Sequence, residues 1–239
     1  MIVEERMVAY INSLDIGNTP LLDEIEREAR QEGVPIIRRE LQSFLKTLLA
    51  WKNPGQILEV GTATGFSALL MSEYGGPKVK ITTIEKYEKR LPIARENFRR
   101  AGREKQITLL EGDAMEILPK LSGLFDFIFM DAAKGQYLHF LPQVLRLLSP
   151  GGLLVSDNVL QEGRIIDSRF AVERRDRTIH SRMREYLYAL KHHPQLVTSI
   201  LPLGDGVTVS VKIEELENSG NSEMLLPVGT GGTGERKLP

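Results

Sequence analysis

The sequence predicts an α/β fold in which a doubly wound, mostly parallel sheet of seven strands carries helices on both faces. From residue 56 onward, short apolar runs alternate with helical stretches, and this alternation is typical of parallel sheets. A helical segment over residues 3–52 comes before the alternation. Two β-like runs joined by Gly204-Asp205-Gly206 come after it, and they predict a C-terminal antiparallel hairpin.

The N-terminal segment is predicted to form helices of its own. Thr19-Pro20 opens a stretch with apolar residues at helical spacing, and Gly33 ends it. A second stretch of the same period follows Pro35 and is broken by Asn53-Pro54-Gly55.

Five apolar runs are predicted strands, and helical stretches separate them. The strands are expected at 57–60, 80–84, 107–110, 125–130 and 153–156, with helices at 66–74, 88–101, 114–121 and 135–148. A further helix over 176–193 leads into hairpin strands at 196–203 and 207–213. One domain is therefore expected over residues 1–213, and the glycine-rich residues 214–239 are expected to form a flexible tail.

The composition is that of an ordinary globular protein. The 239 residues are 41% hydrophobic and 26% charged, with a formal net charge of -1, so collagen-like, disordered and globally basic classes are excluded. The chain has no cysteine, which excludes disulfides, zinc thiolates and cysteine nucleophiles. No apolar run approaches ~18 residues and the N-terminus has no signal-peptide pattern, so we expect a cytoplasmic protein without a membrane span.

The sharpest local signal is the loop from Glu59 to Ser67, which reads EVGTATGFS between a predicted strand and a predicted helix. Its glycines allow a tight turn and a close approach of ligand to backbone, and the helix start attracts an anion. Dinucleotide loops follow G-x-G-x-x-G, whereas this loop has G-x-x-x-G. The spacing therefore favours a smaller nucleoside ligand such as S-adenosylmethionine over a nicotinamide dinucleotide.

Two more predicted strand ends carry polar groups that suit a nucleoside. Glu85 ends the second strand, where a carboxylate can accept hydrogen bonds from both ribose hydroxyls. Asp113-Ala114 follows the third strand, within expected reach of an adenine amino group. The alternative is that these residues are turn glycines and surface acids without a ligand.

Oxygen ligands cluster after the fourth and fifth strands. Asp131 follows one strand, and Asp157-Asn158 follows the other, so neighbouring strand ends should bring the three side chains together. Two carboxylates and an amide suit Mg²⁺, although an aspartate after a strand is often only a helix cap. Lys134, three residues after Asp131, would sit beside the metal as a general base, or would simply pair with Asp131.

Together these motifs resemble the cation-dependent O-methyltransferases of the catechol and caffeoyl-CoA type, over most of residues 1–213. The resemblance implies the class I S-adenosylmethionine-dependent, Rossmann-like fold. It implies cofactor contacts from the loop and the strand ends, and Mg²⁺ ligands and catalytic groups beside them. The implied cofactor contacts are Ile37, Glu59, Gly61, Ser67, Glu85, Asp113, Ala114 and Asp131; the implied metal ligands are Asp131, Asp157 and Asn158; the implied catalytic residues are Lys134 and Asp131.

Within that group the chain is most similar to the bacterial branch that methylates 5-hydroxyuridine at the tRNA wobble position. Residues 164–184 hold seven arginines against three acidic residues, a local charge that suits phosphates but is also typical of a solvated helix face. The acceptor is therefore expected to be the tRNA anticodon loop, with a small catechol-like molecule as the alternative. A nucleotide-binding domain without catalysis is a third interpretation, and a homodimer formed through the N-terminal helices is expected partly from the resemblance.

Overall fold

The computed structural model describes residues 3–168 and 170–213 and contains one seven-stranded sheet. The strand order is β3-β2-β1-β4-β5-β7-β6. The first five strands pair in parallel and the last two pair antiparallel. The predicted fold class is therefore confirmed, including the C-terminal hairpin. Residues 214–239, predicted as a tail, lie outside the described residues.

The elements follow the predicted order. The helices are α1 (Glu5–Ser13), α2 (Pro20–Gln31), α3 (Arg39–Lys52), α4 (Phe66–Tyr74), α5 (Leu91–Arg100), α6 (Ala114–Ile117), α7 (Tyr137–Leu147) and α8 (Arg177–His192). The strands are β1 (Gln56–Val60), β2 (Lys80–Glu85), β3 (Ile107–Glu111), β4 (Phe125–Met130), β5 (Leu148–Ser156), β6 (Leu196–Leu201) and β7 (Val207–Lys212). Short 3-10 helices occupy Leu118–Lys120, Lys134–Gln136 and Gln161–Ile166.

Prolines explain why two helices are shorter than the sequence predicts. The helix expected from residue 88 begins at Leu91, with Pro92 in the first turn, where a missing N–H costs nothing. The helix expected over 114–121 is α-helical only to Ile117, because Pro119 has no N–H to continue the hydrogen-bond ladder.

The sheet has two apolar faces, each covered by its own helices. Ile57 packs into a core with α2, α3, α4 and α5, whereas its neighbour Leu58 packs on the opposite face with α7 and α8. This alternation follows from the two-residue period of a strand. Among the described residues, no helix combines the length and the apolar character needed to cross a membrane.

The strand order reverses beside β1, and this reversal creates the position for a ligand. β1 pairs with β2 on one side and with β4 on the other, so the helices that leave these strands go to opposite faces. A crevice then opens outside the carboxyl ends of the strands. The register places Val60 beside both Ile84 and Met130, and Met130 beside Ser156, so the residues that follow these strands are neighbours.

Candidate active site

A cavity of about 620 Å³ lies at the carboxyl ends of the parallel strands. All predicted site residues except Glu59 line it: Ile37, Gly61, Ser67, Glu85, Asp113, Ala114, Asp131, Lys134, Asp157 and Asn158. Further residues that line the cavity and that no sequence motif indicated include Tyr87, Arg90, Gln136, Glu162 and Asp205. The cavity therefore joins the predicted cofactor residues and the predicted metal ligands in one space.

Gly61 lies in the predicted cofactor loop, directly against the backbone at the end of β4. Its φ is +94°, a left-handed conformation that glycine adopts without strain, and its N–H donates to the carbonyl oxygen of Ile84 at 2.9 Å. A Cβ at this position would overlap the carbonyl oxygen of Asp131 and lie 2.9 Å from its carbonyl carbon. Only glycine therefore lets the loop pass this close to the end of β4.

Glu59 lies beneath the loop and not in the cavity. Its side chain is fully buried, and its carboxylate accepts hydrogen bonds from the hydroxyls of Ser67 and Thr83, the latter at 2.5 Å. Burial raises the pKa of Glu59 to about 7, against the opposing effect of these hydrogen bonds. In this geometry Glu59 holds the loop through Ser67 and Thr83, and its predicted contact with the cofactor stays a prediction.

The raised pKa of Glu59 has a measurable consequence for stability. Between pH 4.5 and about 7 the folded protein holds a proton on Glu59 that the unfolded chain has lost, so stability falls as pH rises through this range, by about 3 kcal/mol in total. Glu59→Gln removes the ionisation, so we expect the variant to lose less stability than the wild type between pH 5 and pH 8. Urea unfolding at the two pH values, with chelator present, measures the difference, and equal losses would contradict the effect.

Glu85 faces the cavity as a fixed acceptor. The residue is 7% exposed, and its two carboxylate oxygens accept the backbone N–H groups of Ala63 at 2.8 Å and Tyr87 at 2.7 Å. These bonds hold the carboxylate in one orientation and leave lone pairs for a ligand. Asp113 is more exposed and lines the cavity, as predicted. Its carboxylate also accepts the N–H of Met115 at 2.9 Å, so that Asp113 is the N-cap of α6.

Replacing Glu85 by alanine should weaken S-adenosylmethionine binding roughly 10- to 100-fold, because hydrogen bonds to a charged group contribute about 1.5–3 kcal/mol. Isothermal titration calorimetry with the cofactor measures the change. Glu111→Ala is the matched control, since Glu111 ends the neighbouring strand, lies outside the cavity and pairs with Arg95. Equal affinities for Glu85→Ala and the wild type would exclude Glu85 as a cofactor contact.

Asp131 and Asp157 meet at the ends of β4 and β5. The N–H of Asp157 donates to the carbonyl oxygen of Met130 at 3.0 Å, and the Tyr137 hydroxyl lies 3.1 Å from the carbonyl oxygens of both Met130 and Asp157. The amide nitrogen of Asn158, whose backbone is left-handed with φ +59°, lies 3.3 Å from an Asp131 carboxylate oxygen. The register of β4 with β5 and the hydrogen bonds of the buried Tyr137 hydroxyl thus bring the predicted oxygen ligands together.

The electrostatics of this cluster are unfavourable without a cation. Burial raises the pKa of Asp157 above its usual range, and the neighbouring charge of Asp131 raises it further. Burial also raises the pKa of Asp131, although the Asn158 amide and the charge of Lys134 act against it. Two buried carboxylates that resist ionisation side by side are groups that a cation would stabilise.

Lys134 does not pair with Asp131. Its Nζ lies 3.5 Å from a carboxylate oxygen of Asp205, a residue 71 positions away in the turn between β6 and β7. In the sequence, Gly204-Asp205-Gly206 indicates only a turn, and the aspartate between the two glycines is the one available signal for this contact.

Comparison with known proteins agrees with this geometry. A protein-family model for O-methyltransferases matches residues 12–213. A catechol O-methyltransferase of Niastella koreensis is 37% identical over 128 residues, which are 52% of this chain and 58% of that protein. Caffeoyl-CoA O-methyltransferase 2 of Populus trichocarpa is 32% identical over 182 residues and 72% of each chain.

A solved structure extends the similarity to a bound cofactor product. The SAH-bound methyltransferase PaMTH1 of Podospora anserina superposes with a TM-score of 0.79 at 28% identity, over 88% of this chain and 95% of that chain. The family match spans residues 12–213 and the structural match covers 88% of the chain, so the predicted cofactor class and reaction type are supported together. The chain belongs to the O-methyltransferase family, as an S-adenosylmethionine-dependent enzyme of the catechol and caffeoyl-CoA type.

Proposed function

We propose that this enzyme requires a divalent cation, Mg²⁺ in the first instance, and methylates 5-hydroxyuridine at the wobble position of tRNA. The observation that carries the proposal is the pair Asp131 and Asp157 at neighbouring strand ends, half-buried and buried respectively, with the Asn158 amide beside Asp131 and Lys134 at the same cavity. 5-Hydroxyuridine offers a 5-hydroxyl next to a 4-carbonyl oxygen, and these two oxygens can chelate a cation as a catechol does.

The donor set fits a hard cation with open coordination positions. Two carboxylates and one amide oxygen suit Mg²⁺, which keeps several positions for water or substrate oxygens. Among residues 3–168 and 170–213, no group of three or more histidine, cysteine, aspartate or glutamate side chains is placed to hold a metal ion. The proposed site therefore depends on the amide of Asn158 as its third protein ligand.

The chain's own residues have separate tasks in the proposed reaction. Asp131, Asp157 and Asn158 would hold the cation, which when bound supplies a Lewis acid that favours the deprotonated acceptor hydroxyl. Lys134, as a neutral amine, accepts the hydroxyl proton and becomes an ammonium group, a general-base contribution of typically ~10²–10⁴-fold. The acceptor oxygen then forms a bond to the methyl carbon as the carbon–sulfur bond of the sulfonium breaks, releasing S-adenosylhomocysteine. Gly61 and Glu85 orient the cofactor, and such positioning can contribute ~7–11 kcal/mol.

Positive charge at the cavity supports an RNA acceptor. Arg38 and Arg90 line the cavity, and Arg182 donates to the carbonyl oxygen of Gly135, next to Lys134, at 3.1 Å. Arginines in these positions would contact the phosphates of an anticodon loop and so position it. The bases of such a loop flip out at lower cost than those of a duplex. Part of this charge is already paired, since Arg164 pairs with Asp176, Arg175 with Glu173, and Arg38 at the cavity with Glu162. The local charge available to RNA is therefore smaller than the sequence count suggests.

A small catechol-like acceptor is the second candidate, because the similar proteins carry catechol and caffeoyl-CoA names. Transfer of labelled methyl groups to total tRNA and to a catechol panel, with and without EDTA, separates the two. The proposal expects label in tRNA that disappears with EDTA and does not appear with the Asp157→Ala variant. Label in the catechols alone would show that the acceptor is a catechol and not tRNA. Label that persists after exhaustive chelation would exclude the requirement for a divalent cation.

We also propose a homodimer formed through α1. The helix buries none of its residues, and Met7, Tyr10, Ile11 and Leu14 form an apolar stripe with each side chain at least 53% exposed. The i, i+3, i+4, i+7 spacing is that of a helix face that packs against an apolar surface, and a second copy of α1 supplies one.

Light scattering after gel filtration tests the dimer. The wild type should elute at twice the chain mass, and Leu14→Glu should be monomeric because a charge then replaces an apolar contact. Tyr188→Glu is the control, since Tyr188 is equally exposed but lies on α8. A monomeric wild type at micromolar concentration would exclude this interface.

A further inference from the structure

Asp205 is a buried carboxylate that the proposed reaction does not use. It lies in the turn between β6 and β7, is 6% exposed, and lines the cavity on the side of Lys134. The turn is built for close contact: Gly206 has φ +87°, and a Cβ there would lie 2.7 Å from the backbone nitrogen of Leu160. The loop that follows the metal ligands is therefore pressed directly against this turn.

The two carboxylate oxygens of Asp205 have different partners. One accepts the backbone N–H of Glu162, in a stretch where Gln161 and Glu162 both adopt left-handed conformations. The other lies 3.5 Å from Lys134 Nζ. Asp205 also accepts the N–H of Leu160 through its own carbonyl oxygen at 3.0 Å. One residue thus joins the hairpin turn, the loop after Asn158 and the lysine.

Lys134 has no other salt bridge within residues 3–168 and 170–213. Two further carboxylates on its side of the cavity are those of the half-buried Asp131 and the buried Asp157. A lysine is a flexible point charge, so an ammonium group released from Asp205 would move toward these carboxylates. There it would compete with a cation and leave the place from which it meets the acceptor hydroxyl.

We propose that Asp205 is a positioning residue that holds Lys134 on the acceptor side of the cavity and keeps its ammonium group away from the metal ligands. This inference rests on the proposed function, because it assumes that Asp131 and Asp157 bind a cation and that Lys134 acts on the acceptor. The bond to the Glu162 amide fixes the carboxylate so that its second oxygen always faces the lysine. The turn between β6 and β7 is thereby part of the active site.

Asp205→Asn separates the two contacts. The amide keeps an oxygen that can accept the Glu162 N–H, so the loop retains its hydrogen bond, whereas the ionic attraction for Lys134 is lost. The same substitution in a Lys134→Met background removes the group on which Asp205 is proposed to act. Asp126→Asn is the matched control, since Asp126 accepts the backbone N–H groups of Gly55 and Gln56 at the opposite end of the sheet.

Two readouts test the role: steady-state kinetics with the acceptor, and direct Mn²⁺ binding followed by electron paramagnetic resonance. In the wild-type background, Asp205→Asn should lower kcat by roughly 10-fold, change KM by less than about 2-fold, and weaken Mn²⁺ binding by about 3-fold or more. In the Lys134→Met background the same substitution should change both kcat and Mn²⁺ affinity by less than about 2-fold. Asp126→Asn should leave both quantities at wild-type values.

The outcomes distinguish this role from the proposed function. If Asp205→Asn has equal effects in both backgrounds, Asp205 acts through the loop or through its charge alone, and the positioning role is overturned. Wild-type kinetics and Mn²⁺ affinity for Asp205→Asn would overturn it as well. If the wild-type enzyme itself binds no Mn²⁺ and transfers methyl groups in EDTA, the proposed function fails first and the positioning role fails with it.

Discussion

Replacing Asp157 by alanine is expected to abolish methyl transfer, with a loss in kcat of at least about 10³-fold, because the substitution removes a proposed metal ligand and with it the position of the acceptor. Lys134→Ala should be less severe, since it removes only the proposed general base and leaves the proposed metal ligands in place. Single-turnover assays of the two variants at saturating cofactor measure the difference. A dead lysine variant beside an active aspartate variant would reverse the assigned roles.

Loss of folding would not explain the loss of activity. Burial and the adjacent charge of Asp131 raise the pKa of Asp157, so an ionised Asp157 destabilises the metal-free protein. Asp157→Asn keeps an acceptor for the N–H of Asn158, which donates to Asp157 at 2.6 Å, and removes the charge. This variant should be inactive, yet unfold in EDTA at the same urea concentration as the wild type or a higher one. A markedly lower midpoint would assign the defect to folding.

Gly61→Ala is expected to have the second large effect, because the new Cβ meets backbone and not a side chain that can move away. The ends of β1 and β4 would have to separate, which displaces Asp131 together with the cofactor loop. We expect a loss of stability of about 2–4 kcal/mol and no measurable S-adenosylmethionine binding by calorimetry.

A matched glycine separates the clash from backbone strain. Gly123 has φ +88°, close to the +94° of Gly61, but nothing lies within 4 Å of a Cβ built there. Gly123→Ala should therefore cost only the ~1–2 kcal/mol of a left-handed alanine and leave cofactor binding intact. If the two variants behaved alike, the close approach of Asp131 to Gly61 would not matter to binding.

The sequence allowed the cavity to be predicted because its residues follow strands of a parallel sheet. Once five runs are assigned as parallel strands, their carboxyl ends must share one edge, and Glu85, Asp131 and Asp157 fall there without any knowledge of side-chain contacts. The same logic did not indicate that the Glu59 side chain lies outside the cavity lining. It precedes the end of β1, so the pleat points its side chain below the loop and toward Thr83.

The partner of Lys134 could not be predicted from spacing. Sequence proximity suggested Asp131, three residues away, whereas the structure brings in Asp205 through the antiparallel pairing of β7 with β5. That contact depends on the length of the hairpin and on Gly206 admitting Leu160. Long-range geometry of this kind is set by packing and has no local periodic signature.

Because β1 lies between β2 and β4, the two halves of the sheet contribute different groups to the cavity. Apart from Asp131 and Ile37, the cavity residues proposed to recognise the nucleoside lie at the ends of β1, β2 and β3, whereas those proposed to face the acceptor follow β4 and β5 or lie in the hairpin turn. Within the sheet, the half that contains β1, β2 and β3 is joined to the other half by one strand pair, β1 with β4. Grafting the 158–176 loop and the hairpin from a relative should therefore change which molecule is methylated while the methyl donor is retained, and such exchange offers this architecture a route to new acceptors.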